Sequence, residues 1–281
     1  MRLRSALNLS LYILLLLAGM IVFGFPIYWM TRGALISQGQ WIERPLHWWP
    51  VHPTLDAFRE IIQGFHLGSV LFNTFTLAIL TMACNVIFDT LAGFSLAKMR
   101  LPGRESIYLI LLITMMVPFE GLMVPLYLIV TKMGLANTLP GVLLPGAASA
   151  FSIVLMRQFF SRVPNELIEA ARVDGAGWPR IFFSVAVPIA KPAIATVAII
   201  SFLSGWEAFI WPMLITDPHS SFDVLQKLLA QATYASLAGG EDVRWPWLMA
   251  AALIATLPVM VLFVFGQRYF IAGLSGGAVK G

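Results

Sequence analysis

Three carboxylates stand inside strongly apolar stretches of the 281-residue chain: Asp89, Glu120 and Glu207. A carboxylate at membrane depth is costly unless it is paired or hydrated, so each is expected at a helix interface or beside an aqueous path. Structural roles are favoured for Asp89 and for Glu120, which follows Pro118 at an expected helix break. The alternative is a proton relay through the three carboxylates. An ion-coupled secondary transporter of this kind would move its solute without an ATPase subunit.

Glu207 has the most suggestive neighbours, because Trp206, Phe209 and Trp211 surround it in the sequence. Indole and phenyl rings pack against the C–H faces of sugars, while a carboxylate accepts hydrogen bonds from their hydroxyl groups. These four residues therefore form the candidate substrate path. A second interpretation stays open, in which Glu207 pairs with another subunit or packs near a helix break at Pro212.

Sequence motifs give no support for an enzyme. The chain has no Gly-Lys dipeptide, so the phosphate-binding loop G-x-x-x-x-G-K-[ST] is absent. The four histidines lack the HExxH spacing of zinc proteases, and the single cysteine, Cys84, can build neither an internal disulfide nor a cysteine-based zinc site. We therefore expect no catalytic residue, no metal site and no bound cofactor, and an intramembrane hydrolase is not favoured.

Composition indicates a membrane protein. Hydrophobic residues make up 59% of the chain and charged residues only 11%, whereas soluble domains carry roughly 25% charged residues. Six stretches are long enough to cross about 30 Å of hydrocarbon as helices. They cover residues 11–30, 70–97, 106–130, 139–159, 193–215 and 247–266. The sequence thus predicts an all-α, polytopic integral membrane protein with six transmembrane helices.

The basic residues favour an orientation with both termini in the cytoplasm. In this topology, twelve of the 18 basic residues fall on the cytoplasmic side, as the positive-inside rule requires. The net charge of +4 is then a topology signal rather than a sign of nucleic-acid binding. Residues 1–281 would form a single transmembrane domain, with external loops at 31–69 and 216–246 and a cytoplasmic tail at 267–281. An apolar stripe over residues 54–65 predicts a short amphipathic helix in the first external loop.

Residues 157–192 form a long, charged cytoplasmic loop that is rich in helix-forming residues. Pro164 suits the first turn of a helix, and Gly175 suits the turn that ends it. A second short helix follows, which Pro188 and Pro192 are expected to stop before the fifth span. The loop is therefore predicted to be a pair of helices projecting from the membrane, which we call the knob.

The knob resembles the signature of permease subunits in binding-protein-dependent ABC importers, which reads Glu-Ala-Ala, three residues, Gly, nine residues and Ile-x-Leu-Pro. The matching positions, with one aspartate from the extended form of the motif, are Glu169, Ala170, Ala171, Asp174, Gly175, Val187 and Pro188. Valine replaces both isoleucine and leucine, which is a conservative departure. The spacing agrees throughout.

Two further stretches resemble the carbohydrate-type branch of this family. Residues 205–212 read GWEAFIWP, which is similar to the Gly-Trp-Asn-x-Phe-x-Trp-Pro stretch of these importers, with Glu207 in the place of asparagine. The glycine-rich residues 273–281 resemble the tail of the six-span permease subunit of maltose-type importers. The resemblance therefore covers essentially the whole chain.

The resemblance implies that the knob fits a cleft on a separate ATP-binding subunit and carries the motion of that subunit into the membrane. In such a contact, Glu169 offers a hydrogen-bond acceptor, Ala170 and Ala171 allow close approach, and Gly175 sets the angle. It also implies that the tail contacts the ATP-binding subunits. The tail residues in question are Ser275, Gly276 and Gly277.

The same resemblance implies the function and the partners. The chain would be half of the translocation path for a carbohydrate or polyol-type solute in the plasma (inner) membrane of a prokaryote. Its partners would be a second homologous permease subunit, two ATP-binding subunits that hold ATP and Mg, and an extracytoplasmic solute-binding protein. It would contact the lipid bilayer and no nucleic acid. The solute itself is not specified by the sequence.

Overall fold

The computed structural model describes residues 2–43, 47–64, 66–217, 222–238 and 243–275. Every regular element within these ranges is helical, so the predicted all-α fold is confirmed. The α-helices are α1 (Arg2–Ala34), α2 (Gln38–Ile42), α3 (Asp56–Gly64), α4 (Leu67–Lys98), α5 (Arg104–Thr114), α6 (Phe119–Lys132), α7 (Leu139–Leu143), α8 (Ala150–Ser161), α9 (Asn165–Val173), α10 (Trp178–Ile181), α11 (Val187–Trp206), α12 (Ile210–Ile215), α13 (Leu225–Ala238) and α14 (Trp245–Ser275). A 3₁₀ turn (Leu144–Gly146) follows α7, and a π-helical turn (Phe182–Ala186) joins α10 to α11.

Four helical segments are long and apolar enough to cross a membrane. They are Leu11–Ala34, Leu67–Lys98, Trp178–Trp206 and Trp245–Gln267. Two bent pairs of helices also pass this test, and they raise the number of spans to six if each pair is one span. The six-span topology therefore stays a prediction that the helices can accommodate.

Both bent pairs have a local cause. The axes of α5 and α6 meet at 104°, and Pro118 stands just before α6 with the extended backbone (φ −64°, ψ 138°) of a residue outside the helix. Proline lacks the N–H that a continuous helix needs there. The second bend, of 44°, lies between Leu139–Gly146 and Ala150–Ser161. Ser149 begins α8 there by accepting a hydrogen bond from the Ser152 amide at 3.4 Å.

The fifth predicted span differs from the structure at both ends. Helix continues from Trp178 to Trp206 through the π-helical turn, so the expected stop at Pro188 and Pro192 is wrong. The wider π turn precedes Pro188 directly, where it accommodates the ring and the missing N–H. The other end is also wrong, because the helix breaks at residues 207–209 instead of continuing to 215. The last helix, in turn, continues past the predicted end at residue 266 to Ser275.

The chain divides into two compact units, Met1–Gly68 with Leu228–Pro258 and Ser69–Lys227 with Val259–Gly281. The first unit holds a group of aromatic rings, in which Trp41 stacks on Trp245 at 5.7 Å between ring centroids. The amphipathic helix predicted in this unit is α3, which buries Ala57 and Ile61. Ile62 is exposed, so only part of the expected apolar stripe is covered.

The second unit contains two buried apolar clusters. The first, which we call the knob-base cluster, consists of Phe94, Met156, Phe160, Val163, Ile168, Ile181, Phe182, Ala186, Ala190, Ala193 and Val197. The second consists of Leu77, Val130, Val142, Trp211, Ile215 and Val224. The two clusters support the two candidate sites of the chain, the knob and a cavity.

Candidate functional site

The first helix of the knob, α9, ends in a cap that explains the glycine of the motif. Gly175 adopts a left-handed backbone conformation (φ +79°) that other residues rarely take. Its amide donates to the Arg172 carbonyl at 3.0 Å, and the Ala176 amide donates to the Ala171 carbonyl at 2.9 Å. This pair of hydrogen bonds is the Schellman motif, which satisfies the last carbonyls of a helix and turns the chain.

The outer surface of α9 is available for a partner. Glu169, Ala170 and Asp174 are exposed, and Val173 has 88% of its surface exposed. Glu169 forms no ion pair with any residue in the described ranges, since the guanidinium of Arg172 lies over the Trp178 ring instead. An unpaired carboxylate beside small side chains is suited to a close, polar contact with another subunit.

The inner surface of α9 is anchored by the knob-base cluster. Ile168 is only 5% exposed, and Ala171 packs partly buried against the same cluster. Val187 also packs against it, whereas Pro188 is exposed. The first and last parts of the motif thus differ in role, because Val187 holds the knob to its base and Glu169 faces outward.

Lys98, the last residue of α4, connects that long helix to the start of the knob. Its ammonium group donates to the Val163 carbonyl at 2.6 Å and to Asn165 Oδ1 at 2.6 Å. Asn165 is the first residue of α9, so the end of α4 and the beginning of α9 are joined by charged hydrogen bonds. Sequence reasoning missed this link because the two partners lie about 65 positions away.

A cavity of about 520 Å³ lies in the second unit, within the size range of pockets that bind small molecules. Its polar lining residues are Thr81, Asn85, Glu120, Ser149, Ser152, Ser201, Ser204 and Glu207. Its aromatic lining residues are Phe119, Phe209 and Trp211. No lysine, arginine or histidine from the described part of the chain lines it. Hydroxyl groups, an amide, two carboxylates and three rings can together bind a polyhydroxylated molecule.

Three helix breaks meet at this cavity. Phe119 and Glu120 follow the break before α6, Ser149 precedes α8, and Glu207 to Phe209 separate α11 from α12. Backbone outside a helix is tolerated at membrane depth only where protein covers it or where it lines a water-filled space. The three breaks therefore bring backbone outside a helix to the wall of one cavity, which is an arrangement that the membrane interior permits.

The structure brings together three of the four residues of the candidate substrate path. Glu207 is exposed to the cavity, Phe209 is half-buried, and Trp211 forms a wall. The Trp211 indole N–H donates to the Gly141 carbonyl at 3.2 Å, so only its ring is available to a ligand. Trp206 does not line the cavity. Its ring lies 4.8 Å from that of Phe75 and stacks on Phe202.

Sequence reasoning missed Glu120 and Asn85 as lining residues. Pro118 signals the break that brings Glu120 to the cavity, and an asparagine within an apolar span, such as Asn85, indicates a hydrogen bond between helices. Its amide group donates to the Thr81 carbonyl at 2.8 Å and to the Gly146 carbonyl at 2.9 Å, which ties α4 to the bend before α8.

Asp89 has the structural role that its sequence context favoured. It is fully buried, and both of its carboxylate oxygens accept from the Ser149 amide at 3.2 Å. A carboxylate at the start of a helix stabilises it through the unpaired amides of the first turn. Asp89 therefore holds the beginning of α8 and does not line the cavity.

The tail lies at the limit of the described chain. Ser275 is the last residue of α14, and Gly276 and Gly277 lie outside the described residues. Residues 273–277 also match the G-x-S-x-G pattern of serine hydrolases. Ser275 ends an α-helix, however, whereas a nucleophile elbow requires a turn from a strand into a helix.

Comparison with known proteins identifies the family of the chain. Residues 89–276 match the family described as "Binding-protein-dependent transport system inner membrane component". The chain is 31% identical over 268 residues to the sn-glycerol-3-phosphate transport system permease protein UgpE of Brucella abortus (strain 2308), covering 93% of this chain and 94% of the relative. It is 34% identical over 229 residues to the arabinooligosaccharides transport system permease protein AraQ of Halalkalibacterium halodurans, covering 81% and 80%.

Solved structures show the same fold. One chain of a bacterial ABC transporter involved in the import of the acidic polysaccharide alginate superimposes with a TM-score of 0.80 at 24% identity, covering 96% of this chain and 97% of that one. A chain of the bacterial alginate transporter in complex with an alginate pentasaccharide-bound periplasmic protein gives a TM-score of 0.63 at 16% identity, covering 94% of both.

Apolar helices of membrane-spanning length that break around one cavity are typical of membrane transport proteins. The chain belongs to the family of inner-membrane components of binding-protein-dependent transport systems. It is accordingly a multi-pass inner-membrane permease subunit of the ABC importer class and not an enzyme, since ATP hydrolysis takes place on a separate subunit in this family. The resemblance found in the sequence is confirmed.

Proposed function

We propose that the chain forms half of the translocation path for a carbohydrate or polyol-type solute in an ATP-driven importer. The exposed, capped helix α9 with its complete motif carries this proposal, because it presents an outward-facing carboxylate on a rigid base. The relatives named for glycerol phosphate and arabinooligosaccharides support the solute class. The cavity supports it too, since Glu207 can accept hydroxyl hydrogen bonds beside the rings of Phe209 and Trp211.

Coupling to ATP follows from the two surfaces of α9. The knob-base cluster packs α9 against the ends of α8 and α11. A displacement of α9 by a partner subunit would therefore be transmitted to helices that line the cavity. ATP and Mg would be held by two ATP-binding subunits, whose closure would select one of two arrangements of the permease. Gly175 and Asp174 shape the end of the contact, and the tail from Ser275 to Gly277 supplies a second contact.

The remaining partners are a second homologous permease subunit and an extracytoplasmic solute-binding protein. Both termini would face the cytoplasm, residues 31–69 and 216–246 would face the opposite side, and the whole chain would be one permease domain. The family assignment favours this importer over ion-coupled transport through Asp89, Glu120 and Glu207. Reconstitution into vesicles with and without ATP separates the two, because only the importer would lose uptake when ATP is omitted.

The coupling role can be tested on the assembled importer in proteoliposomes. Glu169→Gln removes the outward-facing charge, and Glu43→Gln is a control because Glu43 is an exposed carboxylate outside the knob. We expect Glu169→Gln and Gly175→Ala to lower both uptake and the ATPase rate stimulated by the binding protein about tenfold or more. The control should remain within about twofold of the wild-type rate.

Membrane insertion and assembly of each variant are measured alongside by co-purification of the subunits. Normal assembly with lost stimulation supports a coupling role for the knob. Full uptake in both the Glu169→Gln and the Gly175→Ala variants would contradict it.

A further inference from the structure

We propose that Glu120 and Glu207 make the cavity selective for uncharged polyhydroxylated solutes and exclude anionic ones. This inference rests on the proposed function of the cavity as the substrate path. It assigns a specificity role to Glu120, and it extends the role of Glu207 from accepting hydrogen bonds to discriminating by charge.

The charge of the lining carries the argument. Glu120 and Glu207 are both exposed to the cavity, and they come from two different helix breaks. All other polar lining groups are hydroxyl groups, the Asn85 amide or backbone groups, and no basic side chain of the described residues lines the space. The lining of this chain therefore carries formal charge of one sign only.

Two basic residues of the unit, Lys227 and Arg157, are bound by partners of their own. Lys227 is buried, and its ammonium group is bound by Asp223 at 2.6 Å and by Thr216 Oγ1 at 2.7 Å. The Arg157 guanidinium lies 3.6 Å from the centroid of the Tyr108 ring and pairs with Glu105 at 3.3 Å. Neither cation is free to turn toward a bound anion.

A sugar whose polar groups are all hydroxyls is stabilised in this cavity, because each carboxylate can accept two hydrogen bonds from hydroxyl groups. A uronic acid or a sugar phosphate brings a negative charge next to two others. In a site partly shielded from water this repulsion is stronger than in bulk solvent, and no lining cation of this chain offsets it. Of the similar proteins, UgpE and the alginate transporter are named for anionic solutes and AraQ for uncharged ones. The chemistry of this cavity favours the uncharged class.

The test uses the assembled importer in nanodiscs, with the second permease subunit present and the solute-binding protein omitted. Two pairs of α-1,4-linked trisaccharide probes have the same length and differ only at C6, where carboxylates replace the hydroxymethyl groups: galactotriose with trigalacturonate, and maltotriose with triglucuronate. Equilibrium affinities are measured for the wild type, for the Glu120→Gln/Glu207→Gln double variant, and for Glu43→Gln as a control. Glu43 is an exposed carboxylate that does not line the cavity.

We expect the wild type to bind at least one neutral probe about tenfold or more tightly than its acidic counterpart at low salt. The double variant should reduce this preference about fivefold or more, chiefly through tighter binding of the acidic probe, whereas Glu43→Gln should keep the wild-type ratio. A higher salt concentration should also reduce the wild-type ratio of neutral to acidic probe affinity, because it screens the repulsion.

Two results would overturn the inference, and they are distinguishable. If neutral probes bind and the double variant keeps the wild-type ratio of neutral to acidic probe affinity, charge selection by these carboxylates is refuted. The proposed substrate path would remain intact in that case. A wild-type importer that binds no neutral probe at all would refute the carbohydrate path itself.

Discussion

The knob and the cavity belong to the same unit, but they are built in opposite ways. The knob comes from one continuous stretch of about 36 residues, 157–192, and its helix ends and turn are set by neighbouring residues. The cavity is assembled from helices whose lining residues are spread over the sequence from Leu77 to Pro212. A site built from residues that are neighbours in the sequence therefore leaves a recognisable motif, whereas a site assembled from distant helix breaks does not.

The two regions also differ in what supports them. The base of the knob is apolar and closely packed, with Met156 and Phe160 completely buried. The cavity has a lining of both apolar and polar side chains, among which Glu120 and Glu207 are exposed. Substitutions at the base of the knob should therefore act through stability, and substitutions of the carboxylates that line the cavity should act through selectivity.

The largest effect is expected at the buried side of α9. Ile168→Ala leaves a void in the knob-base cluster and should lower the free energy of unfolding by about 2–5 kcal/mol. Coupled uptake should fall as α9 loses its support. Val173→Ala on the exposed side of the same helix is the matched control and should have little effect on stability. Thermal unfolding in detergent measures the stability of each variant, and uptake in vesicles measures its coupling. Equal losses in the two variants would contradict the assignment of the buried and exposed sides of α9.

The next effect concerns a close approach beside the cavity. A Cβ atom on Gly205 would lie 2.7 Å from Ala78 Cα, so Gly205→Ala forces α4 and α11 apart and should cost about 1–3 kcal/mol. Gly121→Ala is the control, because a Cβ there meets only Pro118 Cγ at 3.9 Å. Gly205→Ala should lower both the stability and the solute affinity, whereas Gly121→Ala should change neither. A stable Gly205→Ala variant would show that the helix crossing is looser than the structure has it.

A smaller effect is expected at the link between α4 and the knob. Lys98→Met removes two charged hydrogen bonds and should cost about 1.5 kcal/mol. Because these bonds join a cavity-lining helix to α9, stimulation of the ATPase by the binding protein should fall more than solute binding does. Lys98→Arg keeps the charge and should restore part of the stimulation. A loss of both functions in the same proportion would indicate a purely structural role.

The smallest effect is expected on the exposed side of the knob. Arg172 lies 5.3 Å from the Trp178 ring centroid, and a cation–π contact at such a site contributes about 0.5–1 kcal/mol. A double-mutant cycle with Arg172→Gln and Trp178→Leu measures this coupling by thermal unfolding. A coupling energy near zero would remove Arg172 from the interactions that stabilise the knob and would leave its side chain available to a partner.

Several features were predictable because their causes are local. The composition determined the all-α membrane fold, Gly175 determined the end of α9, and Pro118 determined the break before α6. Two local expectations failed. Pro188 and Pro192 do not end a helix: Pro188 lies in the first turn of α11 after the π-helical turn, and Pro192 stands inside α11. The apolar run to residue 215 is not one helix, since it breaks at residues 207–209. Hydropathy alone does not indicate this break, because the residues on both sides of it are apolar.

Composition, turn residues and motif spacing were enough to predict a helical membrane permease with a glycine-capped helix in its charged loop, because these features depend only on neighbours along the chain. The outward-facing position of Glu169, the meeting of Glu120 and Glu207 at one cavity, and the link from Lys98 to the knob were visible only in the folded chain. These relations depend on where separate helices break and cross, and packing between distant segments sets those positions.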